Sequence, residues 1–211
     1  MIIAIDGPAA SGKGTLSRLV AEHFRLAWLD TGSLYRAVGL KMLRNGDDPA
    51  DREAAEKAAK SLNPNELTNS ELKTEVVGLA ASKVAAIPEV RQALVGFQRS
   101  FAQTPPGGAQ GAVLDGRDIG TVVCPDADFK VYVTASPEAR AHRRFLELRD
   151  KGDTVTEQEV LAMTRERDAR DTNRGESPLK TAEDAYLLDT TNLSIDAAFA
   201  ALKVYISGSS N

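Results

Sequence analysis

With 211 residues, 42% of them hydrophobic and 27% charged, the chain is long enough for one well-cored α/β domain with an insertion and too short for two full ones. A net charge of −4 and a pI near 5.3 argue against nucleic acid or an anionic membrane as a partner. Apolar runs of only a few residues exclude a transmembrane helix, Met1 leads straight into an apolar strand and leaves no room for a secretion signal, and the single Cys124 suits a reducing cytoplasm.

The chain opens on Ile2-Ile3-Ala4-Ile5-Asp6 and then Gly7-Pro8-Ala9-Ala10-Ser11-Gly12-Lys13-Gly14-Thr15. Gly7, four residues, then Gly12-Lys13 is the spacing of a phosphate-cradling loop between a buried strand and a helix. Glycines let backbone N–H groups turn around an anion, the helix start adds its dipole, and Lys13 adds a point charge. Gly14 stands where a Ser or Thr hydroxyl usually ligates magnesium, so an ion here would be held more by phosphate and water. Leu16, Leu19, Val20 and Phe24 continue as an amphipathic helix, with His23 read as a packing or surface residue.

A second strand, Leu26–Leu29, ends at Asp30, and Thr31 to about Arg44 forms the next helix until Asn45-Gly46-Asp47-Asp48-Pro49 breaks it. About 50–102 is largely helical with no strand to join a parallel sheet, and its apolar stripes divide at Pro88. A loop through Pro105-Pro106-Gly107-Gly108 leads to a third strand, Ala112–Leu114, ending at Asp115-Gly116-Arg117-Asp118. Phe129–Thr134 is a fourth strand, and Ser136-Pro137 starts a helix to Asp150. A helix from Thr156 to Asn173, a fifth strand from Ala185 to Asp189 and a helix from Ser194 to about Ile206 complete the chain. Strands alternating with helices predict a five-stranded parallel sheet covered on both faces, with ligands at the carboxyl ends of the strands.

Three strand ends carry charge: the phosphate loop, then Asp30 with Arg36, then Asp115, Arg117 and Asp118. Asp115 has the position of the carboxylate that phosphate-loop enzymes use for magnesium, directly or through water. Arg167, Asp171 and Arg174 share a helix face, with Arg170 nearby, although a solvated, salt-bridged surface accounts for that spacing equally well. Arg140, Arg143 and Arg144 suit the phosphates of a nucleotide, or form a basic surface helix paired with Glu138 and Glu147.

Taken together, Gly12-Lys13-Gly14-Thr15, Asp30-Thr31-Gly32-Ser33-Leu34-Tyr35-Arg36, Asp115-Gly116-Arg117-Asp118-Ile119-Gly120-Thr121-Val122-Val123 and Glu166-Arg167-Asp168-Ala169-Arg170-Asp171 closely resemble bacterial cytidylate kinases, from Ile2 to about Ile206. The resemblance implies a phosphate-loop nucleoside monophosphate kinase: ATP and CMP or dCMP give ADP and CDP or dCDP, with magnesium, in a cytoplasmic monomer. It implies a core at 1–35 and 110–211, a monophosphate-binding insertion at about 36–109 and a lid at about 140–155. ATP would lie on Gly7–Thr15 under Arg140, Arg143 and Arg144. Arg36, Arg117 and Arg174 would clamp the CMP phosphate; Thr31, Arg91 and Asp118 would read cytosine; Ser82, Arg167 and Asp171 would hold the sugar. Asp30 and Gly116 would complete the CMP site, and Lys13, Arg117, Arg140, Arg144 and Arg174 would act on the transferring group.

Two positions depart from the family pattern. Thr31 stands where many relatives have Ser, which keeps the hydroxyl. The stretch Leu62–Glu75 is shorter than in members with a small extra sheet, so that sheet is expected to be reduced or absent. Among competing readings, a UMP or AMP kinase sits poorly with Asp118. A GTP switch would need a hydroxyl at position 14 and an Asn-Lys-x-Asp segment, and an inactive nucleotide-binding module would have lost Lys13 or the arginines.

Overall fold

The computed structural model describes residues 1–208 except 174 and 176. Among the described residues β1 (Ile2–Asp6), β2 (Ala27–Asp30), β3 (Ala112–Gly116), β4 (Phe129–Thr134) and β5 (Tyr186–Asp189) form one parallel sheet in the order β2-β3-β1-β4-β5. Asp6 pairs in register with Gly116, and Asp30 with Asp115, so the ends of the three central charged turns stand level.

Alternation along each strand sends side chains to two faces, and both faces are apolar. Ile3, Ile5, Val113, Val131 and Val133 pack on one side against α1 (Lys13–Phe24) and α8 (Ile195–Gly208), through Leu16, Val20, Leu202 and Ile206. Ala4, Leu29, Ala112 and Leu114 pack on the other side against α2 (Thr31–Asn45) and α5 (Pro88–Gln103), through Leu34, Val38, Val90 and Leu94. Two further helices, α3 (Arg52–Lys60) and α4 (Glu75–Val84), lie beside α2 and α5. At Gly39 the backbones of α2 and α4 come so close that a Cβ would lie 2.9 Å from the Ala81 nitrogen. After β4, α6 (Pro137–Asp150) packs on α7 (Glu157–Asn173) around Ala141, Leu148 and Val160.

The expected elements are present, and β2, β5, α7 and α8 begin one residue later than expected. Thr156 and Ser194 stand just outside α7 and α8 as caps, their hydroxyls accepting from Glu159 N and Ala197 N at 3.2 Å each. Between α3 and α4 the chain makes two 3₁₀ turns, Pro64–Thr68 and Ser70–Lys73, and no strand. One element had no periodic signal: Ile119–Val123 is a wide π-type turn, with Asp118 O accepting from Val123 N at 3.1 Å and Ile119 O from Cys124 N at 2.7 Å. No helix among the described residues is long and apolar enough to cross a membrane.

Candidate active site

The phosphate loop turns directly out of β1. At Gly7, φ is 150°, and a Cβ would stand 2.0 Å from the Val133 carbonyl oxygen on the neighbouring strand, so no side chain fits. Ala10 holds a left-handed φ of 58° within the loop. The α1 start has no side-chain cap and no acidic residue in its first turn, which leaves its amide donors for an anion. Lys13 Nζ lies 3.5 Å from Asp115 Oδ1, and the Trp28 indole N–H donates to Asp115 Oδ2 at 3.2 Å. Burial, followed by the charge of Arg117, lowers the Lys13 pKa; burial raises that of Asp115 while Lys13 opposes the rise.

Three adjoining cavities follow the strand ends. A cavity of about 280 Å³ is lined by Lys13, Asp30, Arg36, Asp115, Arg117, Arg144 and Arg167. It shares Arg36, Arg117 and Arg167 with a smaller one of about 70 Å³, which also takes in Thr31, Tyr35, Ser82, Arg91, Asp118 and Asp171. A third, of about 460 Å³, runs along Ala10–Thr15 to Arg143, Thr190, Leu193, Ser194 and Ile195.

The first cavity also takes in Glu75 and Glu147, yet two of its arginines stand outside its ion pairs. Arg117 is paired, its Nε donating to Asp171 Oδ2 at 2.9 Å. Among the described residues Arg36 donates only to the Leu72 carbonyl, at 2.8 Å, and neither Arg36 nor Arg167 has an ion-pair partner. The buried Arg167 Nε has no hydrogen-bond partner among the described residues. Its pKa is pushed down to about 10, first by burial and next by Arg117, with Arg36 adding to the effect. Half-buried cations with no direct ion pair, favoured only at a distance by Asp30, Glu75 and Asp171, attract an incoming anion.

The small cavity is built differently. Asp118 and Arg91 form a buried ion pair; Arg91 also donates to Ala85 O at 3.1 Å and lies over the Tyr35 ring, 5.4 Å from its centroid. Thr31 donates its hydroxyl proton to the Asp115 carbonyl at 2.7 Å and therefore presents lone pairs to the cavity. The Ser82 hydroxyl oxygen is buried with no hydrogen-bond partner among the described residues. Gly116 keeps this corner open, since a Cβ there would come within 2.7 Å of Thr31 Oγ1.

The structure thus brings Lys13, Asp30, Thr31, Arg36, Ser82, Arg91, Asp115, Gly116, Arg117, Asp118, Arg167 and Asp171 to connected cavities. Arg174 lies outside the described residues. The three α6 arginines separate. Arg140 is buried, with Nη1 and Nη2 on Asp168 at 2.9 and 2.5 Å, Nη1 also on Ala9 O at 3.2 Å, and Nε on Ala135 O at 2.9 Å. Its guanidinium braces the phosphate loop and faces none of the three cavities. Arg143 donates to Thr190 Oγ1 at 3.1 Å and Thr190 O at 2.5 Å; Arg144 sits between Glu75 at 2.6 Å and Glu147 at 3.0 Å. Arg170 does not join Arg167 and Asp171 but pairs with Glu166 in solvent at 3.0 Å.

Sequence reasoning missed Thr190, Leu193, Ser194 and Ile195, which follow the end of β5 and wall the third cavity; the rule that ligands gather at strand ends, applied to β5, finds them. For a metal ion the donors are sparse. No group of three or more His, Cys, Asp or Glu side chains suited to a metal occurs among the described residues. Asp115 and Asp30 line the first cavity, and a Cβ at Gly14 would lie 3.7 Å from Asp115 Oδ2. That set fits an ion held chiefly by phosphate oxygens and water.

Residues 3–207 match the family model described as cytidylate kinase. A cytidylate kinase of Rhodospirillum rubrum is 58% identical over 201 residues, spanning 95% of this chain and 94% of that one. One of Paramagnetospirillum magneticum is 59% identical over 200 residues, with 95% and 94% covered. Among solved structures, an uncharacterised protein of Eubacterium ventriosum shares the fold at a TM-score of 0.58 and 15% identity, covering 98% of both chains.

Proposed function

The chain belongs to the cytidylate kinase family and transfers the γ-phosphoryl group of ATP to CMP or dCMP, and from that premise we propose that CMP occupies the small cavity beside Asp118 while the ATP phosphates lie on Gly7–Thr15. The observation that carries this arrangement is the pair of arginines, Arg36 and Arg167, that form no ion pair among the described residues and stand at the mouth shared by the two cavities around Arg117. The CMP phosphate would neutralise them, with Arg174 as a further donor by motif match. Arg167, the orphan Ser82 hydroxyl and Asp171 would meet the sugar. Cytosine's amino group would donate to Asp118 and to the lone pairs of Thr31, while Arg91 supplies a donor for its O2 or N3. Uracil turns a carbonyl toward Asp118, which costs about 1–3 kcal/mol.

Transfer is then in line between two bound nucleotides, driven by positioning and charge neutralisation. The accepting oxygen is already anionic near neutral pH, so no side chain has to remove a proton. Lys13 and the arginines offset the repulsion between the polyanions. Leu193 and Ile195 offer apolar surface to adenine, and Arg143 beside Thr190 approaches the donor nucleotide from α6. Magnesium, bound through Asp115 and water, would supply further neutralisation of the ATP phosphates. Arg140 reaches the transferring group only by leaving Asp168, whereas Arg144 needs only to exchange Glu75 for phosphate. Core 1–35 and 110–211, insertion 36–109 and a lid within 140–155 are the moving units of this reading. A monomer is proposed because one chain lines all three cavities, and a cytoplasmic setting because the lone Cys124 forms no disulfide.

An ADP-release assay across CMP, dCMP, UMP and AMP tests the assignment: turnover with the cytidine nucleotides should exceed that with UMP and AMP. Asp118→Ala should narrow the CMP-over-UMP preference by about tenfold, the equivalent of one lost charge-assisted contact. A preference for UMP or AMP in the wild type would reject this placement of the base.

A further inference from the structure

Asp6 and Arg99 take no part in the site described above, yet they hold the two ends of one turn. Asp6, buried at the end of β1, accepts from Ile119 N through Oδ1 and from Gly120 N through Oδ2, each at 2.8 Å. These are leading amides of the Ile119–Val123 turn, which have no carbonyl of their own turn to bond. At the other end Arg99 donates through Nη2 to Val122 O at 2.9 Å and through Nε to Val123 O at 3.0 Å. An accepting carboxyl group at the amino end and a cation at the carboxyl end both agree with the dipole of the turn. Gly120 permits the close seating on β1 and β4: a Cβ there would already stand 3.3 Å from the Lys130 side chain and 3.5 Å from Asp6 Oδ2. The turn begins at Asp118, whose carbonyl accepts from Val122 N at 2.9 Å and from Val123 N at 3.1 Å. The backbone that carries the Asp118 carboxylate toward Arg91 is therefore set by side-chain hydrogen bonds at both ends of the turn.

We propose that Asp6 and Arg99 are positioning residues for base recognition, fixing Asp118 by clamping the turn that follows it; this rests on the reading of Asp118 as the base-reading carboxylate. Because Asp6 immediately precedes Gly7, the same strand end places the phosphate loop and the base pocket in one frame. A merely structural role would lower stability and overall activity while leaving the choice between bases unchanged.

The test compares Arg99→Met, a change at an exposed side chain, with Asp6→Asn, in which the amide oxygen can serve only one of the two N–H groups. Both should speed amide exchange at 119–124, raise KM for CMP and lower the CMP-over-UMP preference by about three- to tenfold, the range of couplings carried through a neighbouring residue. Arg99→Met should leave KM for ATP unchanged. In an Asp118→Ala background it should remove no further preference. If Asp6→Asn does not fold, Arg99→Met alone decides. Unchanged exchange, or faster exchange with unchanged preference while Asp118→Ala does lower it, overturns the clamp and leaves the base reading intact. An Asp118→Ala variant with undiminished preference overturns the base reading itself.

Discussion

The side chains that decide this protein's behaviour are buried charges, and each is tolerated for a different reason. Asp115 has Lys13 and the Trp28 indole, Asp118 has Arg91, and Asp171 has Arg117. Among the described residues Asp6 has only backbone amides as hydrogen-bond partners, and burial raises its pKa from 3.8 to about 7; those amides and Arg117 pull it down, and Asp118 adds to the rise. The unfolded chain gives up this proton near pH 4 and the folded chain near pH 7. The contribution of Asp6 to stability is therefore present below about pH 4 and lost as pH rises through 7. Chemical denaturation of the wild type and Asp6→Asn at pH 5 and pH 8 should show the wild type losing on the order of 2–4 kcal/mol relative to the variant across that interval. Parallel pH profiles would contradict the assigned shift. In the sequence this residue reads only as the last position of a strand before a glycine. Its partners lie more than a hundred residues away, and no local spacing announces them.

At the scale of elements, periodicity and capping chemistry place the helices and strands outside the insertion to within one or two residues, because burial of an apolar stripe dictates both. The turn at Ile119–Val123 was not legible for the opposite reason: five residues carry no period, and its ends are satisfied by Asp6 and Arg99 from other elements. Helix contacts were equally silent. Gly39 on α2 faces Ala80 and Ala81 on α4 at backbone distance, and α2 carries Tyr35 and Arg36 while α4 carries Ser82. Gly39→Val should separate these helices, lower stability by about 1–3 kcal/mol in a denaturant titration and raise KM for CMP more than KM for ATP. Equal changes in the two constants would show that the α2–α4 contact does not set the small cavity. The arginines of α6 make a similar point. Their spacing placed them on one helix face, but it could not reveal that Arg140 is taken up by Asp168 and Ala9, or that Arg144 is shared by Glu75 and Glu147.

For the whole molecule, alternation of strands and helices implied a parallel sheet, while the order β2-β3-β1-β4-β5 became visible only in the structure. That order matters because it sets the turn after β3 beside the phosphate loop after β1, with Asp30 of β2 on the far side. Motifs separated by a hundred residues thereby share one crevice. In a molecule of net charge −4, the crevice gathers Arg36, Arg117 and Arg167 at the mouth shared by two cavities, and this local cluster is what the proposed CMP phosphate would neutralise. Calorimetric titration of the protein with CMP, cytidine and UMP tests that neutralisation directly. If Arg36 and Arg167 await the phosphate and Asp118 reads the base, CMP should bind about 100-fold tighter than cytidine, as two charge-assisted contacts imply, and about tenfold tighter than UMP. Equal affinities for CMP and cytidine would contradict the account.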